Sequence, residues 1–307
     1  MQISEEEYIN EWLTKIQSSK IHSINKIKKG INSKVYLIEH NNGSYIVKNY
    51  NGIRSGIERM ERELEFLNFC HEFNLDNVPI ILDHDHSMKL ILQNYIKGTQ
   101  EKSSENQILE ILKFSINLNK FFQFTNYRLT AADNLNHTND IKKEIENKVK
   151  FINQLPEFGF NKYTSKIVQL VDSLANNKKS MKEADFFISK YKKFILSPSD
   201  IGPHNMIKSN GKYFFIDFEY AGIDSNIKLS LDIAVHPDVQ FSIHRSGEVD
   251  KSFFKSFGYS LSQIPEVLVT LFKLKWLLLI LIKSQKSERE LLESEVNYLN
   301  MTLEEFF

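Results

Sequence analysis

The prevailing periodicity of the chain shifts at Gly98, and that shift limits the fold more than any other feature of the sequence. Before it, apolar residues fall in short runs bounded by turn residues: Ile24 to Ile27, Lys34 to Ile38, Tyr45 to Lys48 after the turn Asn41-Asn42-Gly43, Val78 to Leu82 and Lys89 to Leu92. Helical spacing interrupts this region twice. Ser4-Glu5-Glu6-Glu7 reads as a capping box ahead of Ile9, Trp12, Leu13 and Ile16, and Arg59 to Phe73 carries Met60, Leu64, Leu67 and Phe73 near one face. Beyond Gly98 the spacing is helical almost to the end, in Ile108 to Phe121, Lys142 to Leu155, Lys166 to Leu174, Pro265 to Lys283 and Ser287 to Phe307. The expectation is an α+β fold of two lobes. Residues 1–97 form an antiparallel sheet with helices, 93–98 connect, and 98–307 form a larger, mostly helical lobe.

One stretch of the second part is not helical. In ILSPSDIGPHNMIKSNGKYFFIDFEYAGID, from Ile195 to Asp224, a loop with Gly202 and Pro203 leads to a short strand at Met206 and Ile207. A Ser209-Asn210-Gly211 turn follows, then an apolar strand that ends at Asp217. Such a hairpin brings Asp200, Asn205 and Asp217 to its open end. As isolated residues these are ordinary turn formers.

Their order along the chain suggests more. Phosphoryl transfer from ATP to an alcohol needs a divalent cation on the phosphate oxygens, for which Asp217 and Asn205 are hard oxygen ligands. It needs a carboxylate beside the attacking hydroxyl, for which Asp200 is the candidate. It also needs a cation on the α- and β-phosphates. Lys48, ending a strand, fits that role if Glu63 on the following helix holds it. KKGINSKVY, between the first two strands, offers a flexible Gly30 and backbone N–H groups at Asn32, Ser33 and Lys34 that could face an anion, although in isolation an ordinary hairpin turn is the better reading of it.

Composition narrows the class further. Lys+Arg and Asp+Glu are equal at 39 each, so no global basic field marks a nucleic-acid partner. The single cysteine, Cys70, allows no intrachain disulfide and fits a reducing compartment. The start, MQISEEEYINEW, is acidic where a signal peptide is basic and then apolar, and the run Trp276 to Ile282 is far short of the roughly 20 residues of a membrane span. A cytoplasmic protein with a small-molecule partner, not a membrane or nucleic acid, is expected.

With these residues in view the chain resembles the aminoglycoside phosphotransferase and choline kinase superfamily, in an uncharacterised bacterial branch. The catalytic loop of that superfamily reads H-x-D-x-x-x-x-N, and PSDIGPHN carries Asp200 and Asn205 at that spacing. Its metal segment often reads I-D-F-E-Y, as do Ile216 to Tyr220. GINSKVY is similar to the nucleotide loop, YIVK to the lysine strand, MEREL to the helix with the paired glutamate, LQNYIKG to the hinge and LDIA to a further segment.

The resemblance implies a bilobal protein-kinase-like fold, with ATP and Mg²⁺ as cofactors and a small-molecule hydroxyl acceptor. Asp200 would be the base and Asn205 and Asp217 the metal ligands. Lys48, Glu63, Gly30 and Ser33 would act on the phosphates, the backbones of Asn94 and Ile96 on adenine, and Asp232 as a buttress of the catalytic loop. Two positions depart from the pattern, Pro198 for the histidine and His204 for a glycine. The reaction expected is transfer of the γ-phosphoryl group to a sugar, amino sugar or amino alcohol. The alternative is a nucleotide-binding pseudokinase with a regulatory or structural role, which Pro198 favours. A protein kinase is disfavoured, since no A-P-E-like segment follows Asp217.

Overall fold

Alternation along one strand decides what lies on either side of the N-terminal sheet. In the computed structural model, helix α1 (Glu5–Ile16) precedes strands β1 (Ile21–Lys29), β2 (Lys34–His40) and β3 (Gly43–Asn49). Helix α2 (Gly56–Glu72), β4 (Ile81–Asp85) and β5 (Leu90–Asn94) follow. The strands form one antiparallel sheet in the order β1-β2-β3-β5-β4. Val47, with Tyr36, Ile38, Leu90 and Leu92, packs on Ile9, Trp12 and Leu13 of α1. Tyr50 and Ile91 pack instead on Met60 and Leu64 of α2. Lys48, facing the same way as Tyr50 and opposite Ile91 in the ladder, is thereby pointed to the α2 side.

The structure describes residues 4–16, 21–29, 33–101, 104–122, 125–154, 161–237, 254–286, 291 and 293–304. The expected capping box is present: Glu7 N–H donates to Ser4 Oγ at 3.2 Å and Ser4 N–H to Glu7 Oε2 at 2.8 Å. One strand is displaced from its expected place. The ladder starts at Ile81 instead of Val78, because Pro79 has no N–H to give it and the Ile80 N–H is taken by the Asn94 side chain at 2.6 Å. At the start of α2, a Cβ on Gly56 would lie 2.2 Å from the Tyr50 carbonyl oxygen, so only glycine lets the helix approach the chain leaving β3.

The helical part contains α3 (Glu105–Phe122), α4 (Thr138–Ile152), α5 (Asn161–Asn176) and α6 (Lys178–Tyr191), then β6 (Phe194–Ser197). A short 3₁₀ turn, Pro203–Asn205, leads into the hairpin of β7 (Met206–Ser209) and β8 (Lys212–Phe215). Ser209 faces Lys212, and Asn210 and Gly211 have φ of 49° and 80°, the two left-handed residues of a tight hairpin loop. Next come β9 (Gly222–Ser225), paired with β6, α7 (Asn226–Ala234), α8 (Glu266–Lys286) and α9 (Glu293–Glu304). Helix α8 is buried on most sides, with Leu268, Leu271, Phe272, Leu274, Leu277, Leu278 and Leu281 at 1% exposure or less. It packs on α4, α5, α6, α7 and α9.

The chain divides into two compact units. Met1–Glu101, Phe124–Leu129 and His204–Gly222 form the first, and Lys102–Gln123, Thr130–Pro203 and Ile223–Phe307 the second. The hairpin joins the first unit through Thr99, which pairs with Lys208, and through the Phe215 N–H, which donates to the Asn77 carbonyl at 2.9 Å. Gly98 permits this: a Cβ there would lie 2.3 Å from the Lys208 carbonyl oxygen. Among the described residues no helix is long and apolar enough to cross a membrane.

Candidate active site

Three of the residues singled out from the sequence meet in the first unit. Lys48 Nζ lies 2.8 and 3.0 Å from the two oxygens of Glu63 and 2.8 Å from Asp217 Oδ1. Glu63 is fully buried, and its carboxylate accepts two further bonds, from the Tyr50 hydroxyl and from Gln93 Nε2 at 3.0 Å. A carboxylate out of water is tolerable when every lone-pair direction is answered, and here three side chains answer. Tyr50 and Gln93 were not legible as partners in the sequence. The signal was their position: Tyr50 is two residues from Lys48 in an extended segment, and Gln93 two from Ile91, so all face α2.

Burial disfavours the charge on Lys48, but the carboxylates of Asp217, Glu63 and Glu219 more than offset it, and the ammonium stays charged well above its ordinary range. Burial and the Glu63 carboxylate push the Tyr50 hydroxyl far up, which keeps it a donor. The site therefore presents a permanent cation held from both sides by carboxylates.

Asp217 follows β8 with φ 71°, a left-handed conformation uncommon for a residue with a side chain. The residue before it fixes the turn: Ile216 N–H donates to the Asn205 carbonyl at 3.0 Å. Asn205, 4% exposed, and Asp217 thus stand next to each other at the open end of the hairpin. Phe218 then stacks on Phe66 of α2, ring centres 4.4 Å apart. Glu219, 2% exposed, receives Arg59 Nη1 at 3.0 Å on Oε1. Its Oε2 is buried, with no hydrogen-bond donor among the described residues. Burial and neighbouring Asp217 push this carboxyl up to about 8, against the pull of Lys48 and Arg59.

Oxygen donors of this kind, a carboxylate at Asp217 and an amide at Asn205, suit a hard cation such as Mg²⁺.

The remaining expected residues are placed as follows. Ser33 is buried just before β2, while Gly30 and Asn32 lie outside the described residues. Asn94 uses its N–H on the Ile80 carbonyl at 3.1 Å, and Ile96 is buried two residues on. Asp200 belongs to the second unit, half-buried in the loop after β6, with Ser199 at φ 60° and Pro198 buried beside it. Asn119 of α3 pins the strand that leads there, accepting from Leu196 N–H at 2.9 Å and donating to the Leu196 carbonyl at 3.0 Å. In the same unit the Asp232 carboxylate is bound by two buried lysines, Lys228 at 2.9 Å and Lys275. His204 is exposed, and buried His236 packs against Trp276, ring centres 4.4 Å apart.

No family model matches the sequence, and no curated protein sequence does either. Solved structures do match along the whole chain. A choline kinase from Streptococcus pneumoniae is 16% identical, with 97% of each chain covered and a TM-score of 0.57. A spectinomycin phosphotransferase in complex with ADP and spectinomycin is 15% identical over 100% of this chain and 95% of that one, with a TM-score of 0.60. An ADP-bound aminoglycoside phosphotransferase is 20% identical over 98% and 97%, with a TM-score of 0.56. The chain thus has the α+β, kinase-like fold seen in these choline kinase and aminoglycoside phosphotransferase structures.

Proposed function

We propose that the protein is an ATP-dependent small-molecule phosphotransferase of the aminoglycoside phosphotransferase and choline kinase superfamily. It moves the γ-phosphoryl group to a hydroxyl of a sugar, amino sugar or amino alcohol. The observation that carries the reading is the buried bond of Lys48 to Glu63 and Asp217. A lysine fixed in this way is a preorganised cation, and transfer of a phosphoryl group depends mainly on positioning and charge stabilisation. The fold likeness to proteins named choline kinase, ethanolamine kinase and aminoglycoside phosphotransferase supports the acceptor class.

In this reading Lys48 binds the α- and β-phosphates, held by Glu63, while Ser33 and the N–H groups around Gly30 face the phosphate chain. The Asn94 carbonyl and the Ile96 N–H hold adenine, and residues up to about 97 serve as the nucleotide-binding lobe. Asn205 and Asp217 would hold Mg²⁺, which when bound neutralises charge on the phosphate oxygens. Asp200 orients the acceptor hydroxyl and takes its proton as the oxygen attacks the γ-phosphorus, whose bond to the β-phosphate oxygen breaks to release ADP.

The test is a mass-shift screen of the purified protein with Mg·ATP against sugars, amino sugars, choline-like amines and nucleosides. One acceptor should gain a phosphoryl group, and Asp200→Ala should lower its turnover by about 10²- to 10⁴-fold while ADP affinity stays within a few-fold. Undiminished transfer by Asp200→Ala removes that residue from the role of base. Nucleotide binding without transfer to any acceptor would favour a pseudokinase, the reading that buried Pro198 at the family's histidine position supports.

A further inference from the structure

Arg59 and Glu63 stand one turn apart on α2, the i, i+4 spacing that puts two side chains on one face. Glu63 takes Lys48. Arg59 takes the residues that follow Asp217: its Nη1 lies 3.0 Å from Glu219 Oε1, and its guanidinium carbon sits 4.5 Å from the centre of the Tyr220 ring. The pair is largely out of water, with side chains 18% and 3% exposed. An apolar pair of the same volume would fill such a space at least as stably, because burying two charges costs about what their attraction returns. What an ion pair adds is a single orientation of each partner.

Asp217 needs such a constraint. Its left-handed backbone is fixed on one side by the Ile216 bond to Asn205. On the other side the chain is held by Phe218 stacked on Phe66, an apolar contact with no hydrogen bond, and by Arg59 on Glu219 and Tyr220, which is directional. We propose that Arg59 is a positioning residue for phosphoryl transfer. By gripping Glu219 and Tyr220 it fixes Asp217 in register with α2, so that the helix aligns Lys48 and the Asp217 carboxylate together. The inference rests on the phosphotransferase reading above.

The test compares Arg59→Met and Arg59→Lys with the wild type in four measurements: binding of ADP without metal, binding of Mn²⁺·ADP, kcat and KM for the acceptor, and the thermal unfolding midpoint. For Arg59→Met, metal-free ADP affinity should change less than about twofold, while Mn²⁺·ADP affinity falls roughly fivefold or more and kcat tenfold or more with little change in acceptor KM. Arg59→Lys, which keeps the charge but not the forked geometry, should recover Mn²⁺·ADP affinity only in part. In the double variant with Glu219→Leu, the combined loss should fall clearly short of the product of the two single losses, since the Arg59–Glu219 contact is broken by either change and only the Tyr220 contact is lost in addition with Arg59.

Equal losses with and without metal, or additive losses in the double variant, would make Arg59 a general packing residue and overturn the inference. So would a kcat within about twofold of wild type in Arg59→Met. If Arg59→Met does not fold, Arg59→Lys and Glu219→Leu carry the same comparison. A wild type that binds no nucleotide defeats the functional reading itself, and this inference with it. A wild type that transfers phosphate with Arg59→Met unaffected defeats the inference alone.

Discussion

Lys48 and Asp217, 169 residues apart in sequence, share a hydrogen bond of 2.8 Å. The lysine reaches across from the end of β3 to the residue that ends the hairpin, so the group proposed to hold phosphate and the group proposed to hold metal are already in contact. Their effects on transfer should therefore be coupled. Lys48→Met is expected to lower kcat/KM by about 10²- to 10³-fold, the range for loss of one charge-stabilising donor. In an Asp217→Asn background the same change should cost less than about tenfold, because the partner it served is gone. Steady-state kinetics of the two single variants and the double variant decide this, and simple multiplication of the two losses would refute the coupling.

Glu63 gives a prediction about stability that is independent of catalysis. Its three donors come from Lys48, Tyr50 and Gln93, and the carboxylate has no exposure to water that could replace one of them. Tyr50→Phe and Gln93→Leu should each destabilise the protein by about 1–3 kcal/mol, the cost of leaving a buried polar group short of a partner. Combining Tyr50→Phe with Glu63→Gln should cost less than the sum of the two. Urea denaturation midpoints supply the comparison, and a Tyr50→Phe variant as stable as wild type would show that the hydroxyl contributes nothing.

How far the sequence revealed this site follows from the range of each contact. Lys48 and Glu63 were legible because strand alternation and helix spacing are local, and the Asn210-Gly211 turn fixed the register that puts Asn205 beside Asp217. Tyr50, Gln93 and Arg59 were not assigned as partners, since nothing local says that a tyrosine, an amide or a helix arginine meets a buried carboxylate from a distant element. Strand β9 is four residues long and half polar, too short for alternation to show. Helix α6 was passed over although Ala184, Phe187 and Ile188 are its buried residues and Asn177 caps it by accepting from the Ser180 N–H. Lys228 and Lys275 are helix lysines by pattern, and only the packing of α7 against α8 puts them in the interior.

Two glycines are fixed by approach and a third by backbone angle, and the difference can be measured. A methyl group on Gly98 or Gly56 would meet a carbonyl oxygen at 2.3 or 2.2 Å, so the backbone itself must move. Gly98→Ala and Gly56→Ala are each expected to cost about 1–3 kcal/mol or more, as overpacking does. Gly211, at φ 80° with nothing within 4 Å of the added group, should cost only about 1–2 kcal/mol on mutation to alanine, from the left-handed conformation alone. Thermal unfolding of the three variants ranks them. Gly211→Ala as the most damaging would contradict the close approaches.

The buried charges of the second unit make the last prediction, one of pH dependence. Lys228 and Lys275 are 5% and 4% exposed and share Asp232, and Lys228 also lies 3.2 Å from Asp224 Oδ2. Burial raises the pKa of Asp232, but the two ammonium groups outweigh it and hold the carboxyl below its ordinary 3.8. The unfolded chain then binds this proton more readily than the folded one, so the contribution to stability is whole above the ordinary value and is lost as pH falls through the depressed one. Asp224 runs the other way. Burial raises its pKa more than Lys228 and the Ser225 N–H lower it, so its ionisation opposes folding and the penalty enters as pH rises above the ordinary aspartate value. At neutral pH, Asp232→Asn should destabilise the protein by about 3–5 kcal/mol, because two buried ammonium groups lose their shared partner. The gap to wild type should narrow as pH falls below 3.8, and Asp232→Asn with Lys275→Met should recover part of the loss at neutral pH. Denaturant titrations across that range test the sign: a gap that stays constant with pH would assign the effect to packing, not to charge.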